Sequence, residues 1–191
     1  MPRCFSGLIS RPKDRRLHVC TDASEKGFGA VVHMRVTDEN QVCVNFVMSK
    51  ARVAPIKLLS VPRLELQGAV SGVRLAMTCS KELGLALSEA TFWTDSMTVL
   101  QWIRSRNCRF QTFVANRIGE ILESTTKARW RHIPGRLNPA DICSRGIPAG
   151  YLTSEHLWFC GQVFLKDAEH LWPDVCLRKR WKVVQVLVNQ F

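Results

Sequence analysis

The chain has 191 residues, 46% of them hydrophobic, and a formal net charge of +11 from 27 Lys and Arg against 16 Asp and Glu. This length suits one compact domain with a tail, and the apolar content excludes a disordered chain. No apolar run reaches the ~20 residues of a membrane span and the N-terminus lacks the order of a signal peptide, so we expect an intracellular protein. The positive charge favours a polyanionic partner, with nucleic acid ahead of an anionic membrane.

The first three predicted strands follow a short polar segment. Residues 1–16 are polar and basic, and we predict a flexible leader there. Apolar and β-branched residues then form three runs that predict strands, over residues 17–22, 29–36 and 42–49. Because the turns between these runs are short and polar, the strands are predicted to form an antiparallel meander.

The apolar period changes after the meander. From Ser60 and Pro62 onward, apolar residues recur at intervals of three and four, which predicts a long amphipathic helix to Leu83 that Gly84 stops. The later predicted elements are a strand over residues 90–94, a helix from about 95 to 103, a helix over 111–124, a strand over 128–133 and a short helix over 139–146.

The order βββαβααβα predicts an α/β fold. Three hairpin strands followed by β-α alternation imply a mixed five-stranded sheet, antiparallel at first, flanked by helices. We place this domain at residues 17–146. Residues 147–191 form a C-terminal extension that is rich in Trp and basic near its end.

The cysteines and histidines do not form metal-ligand patterns. None of the eight cysteines stands in a C-x-x-C pair, and their wide spacing indicates reduced, mostly buried thiols. His156 and Cys160 stand at helical spacing, but two ligands do not complete a zinc site. We therefore expect no structural zinc.

Four carboxylates occupy special places in the predicted fold. Asp22 and Asp95 end the first and fourth strands, Glu65 lies in the first turn of the long helix, and Asp141 lies near the start of the last helix. Strand ends and helix starts meet at one rim of an α/β sheet, and carboxylates converging there would repel each other without cations. Oxygen ligands without paired His or Cys suit Mg²⁺ or Mn²⁺, and two such ions about 3.5–4 Å apart can clamp a phosphodiester. Each residue taken singly is better explained as a turn, cap or helix-dipole residue, and only the joint pattern favours the metal site.

Four segments together identify a family resemblance. HVCTDAS…GFGAVV, PRLEL, FWTDS and RHIPGRLNPADICSRG resemble the ribonuclease H domain of retroelements, and more narrowly that of Pao/BEL long-terminal-repeat retrotransposons. LTSEHLWFCGQVFL resembles the stretch that follows this domain in Pao/BEL polyproteins, so the resemblance covers roughly residues 17–165. It implies hydrolysis of the RNA strand of RNA–DNA hybrids with two Mg²⁺ or Mn²⁺ ions held by four ligands, Asp22, Glu65, Asp95 and Asp141.

The resemblance also implies partners and a location. A Pao/BEL polyprotein has a reverse transcriptase before this domain and an integrase after it, so residues 147–191 would be a linker toward the integrase. The chain is then an excised piece, a truncated copy or a host-adopted remnant. We expect it in the cytoplasm or in a retroelement particle, with the nucleus as a further place.

One position departs from the family pattern. Many ribonucleases H carry a mobile histidine in the loop before the last aspartate, but the loop here is IPGRLNPAD, with Arg136 at that position. His132 lies on the preceding strand, where we expect a structural role. The role of that histidine in product release is therefore left open, and Arg136 is a candidate phosphate ligand.

Substrate contacts are predicted at six residues. Ser24 and Ser96 stand beside predicted metal ligands and are candidates for contact with the RNA strand. IRSRNCRF supplies Arg104, Arg106 and Arg109 as a candidate basic ridge for the DNA strand, and Arg136 is the sixth. An ordinary solvated loop explains the three arginines of the ridge equally well.

Two alternatives belong to other functional classes. The first is a catalytically inactive ribonuclease H-fold module that binds nucleic acid or acts as a scaffold, since fold does not fix activity. The intact set of four carboxylates argues against it. The second is a transposase or integrase core, which would need Glu in place of Asp141 and usually a zinc-binding partner domain.

Overall fold

The computed structural model describes residues 13–39, 41–57, 59–106 and 109–173. The predicted meander is confirmed: strands β1 (Asp14–Ala23), β2 (Gly27–Thr37) and β3 (Val42–Val53) pair antiparallel in chain order. Residues 14–16, predicted as part of a flexible leader, instead belong to β1, because Asp14 pairs with Thr37 at the far end of β2. Residues 1–12 of the predicted leader lie outside the described residues.

The remaining elements follow the predicted order. They are α1 (Val61–Leu83), β4 (Thr91–Thr94), α2 (Met97–Arg104), α3 (Thr112–Ser124), β5 (Trp130–His132), α4 (Asp141–Arg145) and α5 (Leu157–Cys160). Gly84 ends α1 in the left-handed conformation (φ 63°), which only glycine adopts without steric cost. β5 is shorter than predicted because residues 127–129 form a 3₁₀ turn.

The five strands form one mixed sheet in the order β3-β2-β1-β4-β5. β4 pairs parallel with both β1 and β5, and Thr21 of β1 lies opposite Thr94 of β4. This confirms the predicted fold class. Because β1 and β4 are parallel neighbours in this register, their carboxyl ends and the residues that follow them lie side by side.

One face of the sheet is covered by α1, α2 and α3. Alternate strand residues such as Leu17, Val19 and Val32 are buried against apolar residues of these helices, including Leu66 and Ile103. Alternation follows from the two-residue period of a strand, so His18, Cys20 and Asp22 of β1 point to the other face. None of the helices among the described residues is long and apolar enough to cross a membrane.

Two glycines let α1 approach β1 closely. A Cβ at Gly68 would lie 2.8 Å from the carbonyl oxygen of Asp22, and one at Gly72 would lie 2.5 Å from Thr21 Cγ2. Both distances are shorter than real Cβ contacts. The glycines therefore bring the N-terminal turns of α1 against the carboxyl end of β1.

The opposite face is covered by α4 and by residues 157–173, which we call the C-terminal strap. Leu165 and Trp172 of the strap are buried with Cys20, Val31 and other residues of this face. The strap is thus part of the domain core, although residues 147–191 were predicted as an extension beyond the domain. Residues 174–191 lie outside the described residues.

Polar contacts and aromatic packing fasten the strap to the sheet. Arg35 Nε donates to Leu165 O (2.7 Å), and Gln162 Nε2 donates to Cys20 Sγ (2.6 Å). The guanidinium groups of Arg35 and Arg131 both lie over the Trp172 ring, at 5.6 and 5.4 Å from its centroid. Such cation-π contacts strengthen when the groups are partly desolvated.

Two histidines lie buried beneath the strap. His18 and His33 are paired across β1 and β2, and both are fully buried. His18 Nδ1 accepts from Trp93 Nε1 (3.2 Å), and His33 Nε2 lies 2.9 Å from Trp158 O. Burial lowers the pKa of His18 to about 3, with nearby Arg35 as a further cause, and lowers the pKa of His33 to about 4. Both rings are therefore neutral near pH 7.

The described cysteines are free thiols, as predicted. Cys20 and Cys79 are buried, whereas Cys43, Cys143 and Cys160 are half-buried. The predicted thiols at Cys4, Cys108 and Cys176 lie outside the described residues.

A glycine pair tests the close approach of α1. We expect Gly68→Ala to destabilise the fold by about 1–3 kcal/mol, because the new methyl group meets the backbone of Asp22. Gly119→Ala in α3 is the matched control: nothing lies within 4 Å of its added Cβ, so improved helix propensity should stabilise by about 0.5–1 kcal/mol. Urea unfolding of both variants measures the difference, and equal effects would contradict the close approach.

The buried histidines predict acid sensitivity. Because the pKa of His33 is about 4 in the folded chain and about 6.5 when unfolded, the unfolded state takes up a proton first as the pH falls. The stabilising contribution of neutral His33 is present above pH ~6.5 and is lost toward pH 4, at up to about 1.4 kcal/mol per pH unit. We expect His33→Gln, which keeps an amide donor for Trp158 O, to remove this slope.

The measurement is the difference in unfolding free energy between wild type and His33→Gln from pH 7 to pH 4.5. The difference isolates His33 from the other titrating groups. A difference that does not change with pH would show that His33 is not buried in its neutral form.

Candidate active site

The carboxyl ends of β1 and β4 bring two aspartates together. Asp22 lies at the end of β1, and Asp95 directly follows β4. Because these strands are parallel neighbours, the two carboxyl groups lie close enough to affect each other's pKa. Asp22 is only 6% exposed. The predicted convergence of the first and third carboxylates thus rests on strand pairing.

Glu65 reaches the same place from the first turns of α1. Ser96 Oγ donates to Glu65 Oε2 (2.5 Å), and the same hydroxyl accepts from Val99 N as the N-cap of α2. The negative charge of Asp22 also raises the pKa of Glu65. The close approach of α1 at Gly68, one turn further on, positions this carboxylate near β1.

The loop before α4 is fixed to both aspartate-bearing strands. Ile133 N donates to Thr94 O (3.0 Å), and the buried Asn138 donates from Nδ2 to Thr21 O (3.0 Å). Asn138 Oδ1 in turn accepts from Ala140 N (3.1 Å). These bonds place Asp141, the first residue of α4, at the same rim of the sheet. Arg145 Nε contacts Asp141 Oδ1 at 2.6 Å in an exposed ion pair.

Ser144 connects α4 to β1. Its hydroxyl lies within hydrogen-bonding distance of both Asp22 Oδ2 and Asp141 O. Its carbonyl accepts from Ser24 Oγ (2.6 Å). α4 is therefore attached to β1 at both ends, through Asn138 and through Ser144.

Burial and mutual repulsion raise the pKa values of the carboxylates. Burial raises the pKa of Asp22 to about 6, and the charges of Asp95 and Asp141 add to this, while the hydrogen bond from Ser144 opposes it. The pKa of Glu65 is raised by burial and by Asp22, against the bond from Ser96. Burial raises the pKa of Asp95 as well, and Glu65 adds to the rise. The site therefore favours any cation that neutralises these groups.

The donor set fits a hard divalent cation. All four candidates offer carboxylate oxygens, the ligands that suit Mg²⁺ and Mn²⁺. Asp95 Oδ1 is buried and has no hydrogen-bond partner, so it is an acceptor without a donor. Within the described part of the chain, no three His, Cys, Asp or Glu side chains already enclose a metal position. Instead, Ser96 and Arg145 engage Glu65 and Asp141.

The two serines predicted as RNA contacts carry structural hydrogen bonds. Ser96 is buried and joins Glu65 to the start of α2. Ser24 donates to Ser144 O and accepts from Lys26 N (3.2 Å) in the turn after β1. Both serines therefore position site elements in this structure.

The predicted basic residues differ in exposure. Arg104 is half-buried and donates to Trp130 O (2.8 Å), so it links α2 to β5. Arg106 and Arg109 are exposed on either side of residues 107–108, which lie outside the described residues. Arg136 is exposed in the loop before α4, where a Cβ at the neighbouring Gly135 would lie 3.1 Å from Asp95 Oδ2.

His132 lies near the backbone of Asp95. Its Nδ1 is buried without a hydrogen-bond partner. Burial lowers the pKa of His132, and the backbone of Asp95 opposes this shift. The structural role that we expected for His132 stays a prediction.

Asn138 and Ser144 are site residues that the sequence analysis missed. Asn138 precedes Asp141 by three residues and Ser144 follows it by three. On a helix, residues three apart share a face, so the spacing of Ser144 was a usable signal. The spacing of Asn138 was not, because its bond to Thr21 O depends on the path of the loop.

The family model for the Pao retrotransposon-like RNaseH-like domain matches residues 1–96, just over half of the chain. The chain belongs to this family. The match includes Asp22, Glu65 and Asp95 and ends before Asp141. In this Pao retrotransposon-like RNaseH-like domain, the position of the fourth carboxylate, Asp141, is therefore known from the structure and not from the family match. No curated protein is significantly similar to the chain.

Several solved structures are similar at low sequence identity. The N-terminal RNase H domain of a Mycobacterium tuberculosis protein, fused to maltose-binding protein, is 15% identical with a TM-score of 0.48, covering 69% of this chain and 91% of that one. RNase H1 of Halobacterium salinarum is 10% identical with a TM-score of 0.44, covering 68% and 92%. LC11-RNase H1 in complex with RNA/DNA hybrid is 14% identical with a TM-score of 0.44, covering 68% and 93%.

Carboxylate repulsion predicts an unusual effect of neutralising Asp95. In the absence of divalent ions at pH 8, we expect Asp95→Asn to stabilise the fold by about 1 kcal/mol, or about 2–4 °C in Tm, because one buried charge is removed. Mn²⁺ should raise the Tm of wild type and have much less effect on the variant. Thermal unfolding with and without Mn²⁺ provides the measurement.

Asp14→Asn is the control for this variant. Asp14 is an aspartate at the opposite end of β1, where it contacts Arg16 Nε at 2.7 Å. We expect this change to leave the Mn²⁺ response intact. An equal Mn²⁺ response in wild type and Asp95→Asn would remove Asp95 from the cation site.

Proposed function

We propose that this domain is a metal-dependent endonuclease that hydrolyses the RNA strand of RNA–DNA hybrids. The observation that supports the proposal is that four carboxylates from four separate elements lie near enough to influence one another electrostatically. Asp22 and Asp95 come from parallel strand ends, Glu65 from α1 and Asp141 from α4. Buried acidic groups that repel each other weaken a fold, and a cation site is the functional reason to retain them.

The chain's own residues would bind and orient the reacting groups. Two Mg²⁺ or Mn²⁺ ions, when bound, supply activation of water and stabilisation of the leaving oxygen. Asp22 and Asp95, which stand at neighbouring parallel strand ends, would form the centre of the ligand set. Glu65, held by Ser96, and Asp141, at the start of α4, would complete it from the two sides.

Substrate binding would use the basic surface. The chain has a net charge of +11, and Arg106, Arg109 and Arg136 are exposed. Lys and Arg bind nucleic acid chiefly through its phosphates, and discrimination of RNA from DNA relies on the 2′-hydroxyl. Arg136 follows Gly135, whose added Cβ would lie 3.1 Å from Asp95 Oδ2, and is a candidate for contact with a phosphate near the carboxylates.

The family membership supports a polyprotein origin. We propose that the parent protein carries a reverse transcriptase before this domain and an integrase after it, and that the domain acts in the cytoplasm or in a retroelement particle. The basic C-terminal segment beyond Trp172 would then lead toward the integrase.

An inactive module that binds hybrids is the second candidate. The observation that favours it is the ion pair of Arg145 with Asp141, which supplies a permanent positive charge to the fourth carboxylate. Such a module would retain the basic surface and the fold without cleavage.

Cleavage of a labelled RNA–DNA hybrid distinguishes the two candidates. With Mg²⁺ or Mn²⁺, we expect cutting of the RNA strand in the hybrid and no cutting of double-stranded DNA or single-stranded RNA. Asp95→Asn should lose cleavage by a factor of about 10³ or more while binding the hybrid, since the ligand set is broken but the basic surface is not.

Asp14→Asn again serves as the control and should cleave like wild type. Hybrid binding without cleavage by the folded wild-type chain would favour the inactive module. Cleavage retained in Asp95→Asn would contradict the proposed ligand set.

A further inference from the structure

Ser144 is the side chain that joins two of the four carboxylate-bearing elements. It lies on α4, is 3% exposed, and its hydroxyl donates to Asp22 Oδ2 at the end of β1. The alternative acceptor for the same proton is Asp141 O, at 3.0 Å within its own helix. A hydroxyl has one proton to donate, and a carboxylate is the stronger acceptor of the two.

The contact with Asp22 has consequences for its orientation. Asp22 has two carboxylate oxygens, and the bond from Ser144 occupies Oδ2. The second oxygen of Asp22 is not bonded to Ser144, and the charge of Asp95 acts on the same carboxyl group. Groups that bond to a ligand from behind typically orient it and affect metal affinity about 10–100-fold.

The backbone of Ser144 is fixed as well. Its carbonyl oxygen accepts from Ser24 Oγ at 2.6 Å, and Ser24 Oγ accepts from Lys26 N in the turn after β1. The hydroxyl is therefore held at a set position relative to β1. No rearrangement of α4 is needed to form the bond to Asp22.

We propose that Ser144 is a positioning residue that sets the Asp22 carboxylate for divalent-ion binding and couples it to α4. This inference rests on the proposed function for the identity of the ion. It assigns to Ser144 an effect on metal affinity that acts through Asp22 and does not arise from general folding. Loss of the hydroxyl frees the Asp22 carboxylate to rotate, so the ion loses an oriented ligand.

The test measures Mn²⁺ binding to the full chain by calorimetry, without nucleic acid. We expect Ser144→Ala to weaken Mn²⁺ affinity about tenfold or more, and Ser144→Cys to do the same while keeping the shape of the side chain, because a thiol is a weak donor. Ser144→Thr, which keeps the hydroxyl, should retain affinity close to wild type.

Two comparisons separate positioning from general stability. Ser80→Ala is the matched control: Ser80 is a buried helical serine whose hydroxyl has no hydrogen-bond partner, and its replacement should leave Mn²⁺ affinity unchanged. In the Asp22→Asn background, Ser144→Ala should cause no further loss, because residues that act through one another are not additive.

Each outcome bears on a distinct claim. Wild-type affinity in both Ser144→Ala and Ser144→Cys, or an equal loss with and without Asp22→Asn, would overturn the role of Ser144 and leave the proposed function intact. A wild-type chain that binds Mn²⁺ but does not cleave would refute the proposed function. The Mn²⁺ affinities of the Ser144 variants would still test the positioning role of Ser144. A folded wild-type chain that binds no Mn²⁺ would overturn both.

Discussion

Electrostatic repulsion at the carboxyl end of β1 is the constraint to which the surrounding structure responds. Asp22 is buried there within the influence of Asp95 and Asp141, and its pKa rises to about 6 as a result. Among the described residues, no buried cationic side chain neutralises this charge. The hydrogen bonds from Ser144 and Ser96 reduce the repulsion by stabilising the charged forms of Asp22 and Glu65. A cation bound here, as we propose, would relieve the remaining repulsion.

Backbone geometry sets how closely these groups meet. Gly68 and Gly72 allow α1 to lie against β1 at distances that no Cβ tolerates, and Glu65 is carried in with the helix. From the other side, Asn138 fixes the loop before α4 to Thr21 O, so that Asp141 arrives at the same rim. At this end of the sheet, a change in the packing of α1 or of the loop before α4 would therefore also change the positions of the carboxylates.

Much of this arrangement is predictable from local pattern. Apolar periodicity predicts the three-strand meander and α1, and glycine conformation predicts the end of α1 at Gly84. The rule that parallel strand ends meet predicts that Asp22 lies near Asp95. These features depend on residues close in sequence or on general sheet geometry. The positions of Asp22, Glu65 and Asp95 in the fold, and the start of α4 at Asp141, were predictable for the same reason.

The remainder depends on contacts between distant segments. The strap is held by pairs such as Arg35 with Leu165 and Cys20 with Gln162, which lie 130 and 142 residues apart. No local period reports such partners, so residues 157–173 read as an extension. The charged start of β1 reads as a leader for a similar reason, since only its pairing with β2 makes it a strand. Arg104 likewise reads as a basic surface residue until its bond to Trp130 O is known.

Asp22 at the end of β1 and His33 of β2 change stability in opposite directions as the pH falls. His33 has a pKa lowered to about 4, so its contribution to stability declines as the pH falls below ~6.5. Asp22 has a pKa raised to about 6, so protonation below that value relieves repulsion and favours the folded state down to its unfolded pKa of about 4. Between about pH 4 and 6 the two effects offset each other. The pH dependence of the unfolding free energy of the wild type therefore cannot be assigned to either group alone. The divalent ion that we propose would change this balance, because it would relieve the carboxylates at neutral pH, where both histidines are already neutral. Acidification would then oppose metal binding through Asp22 and oppose strap packing through the histidines beneath it.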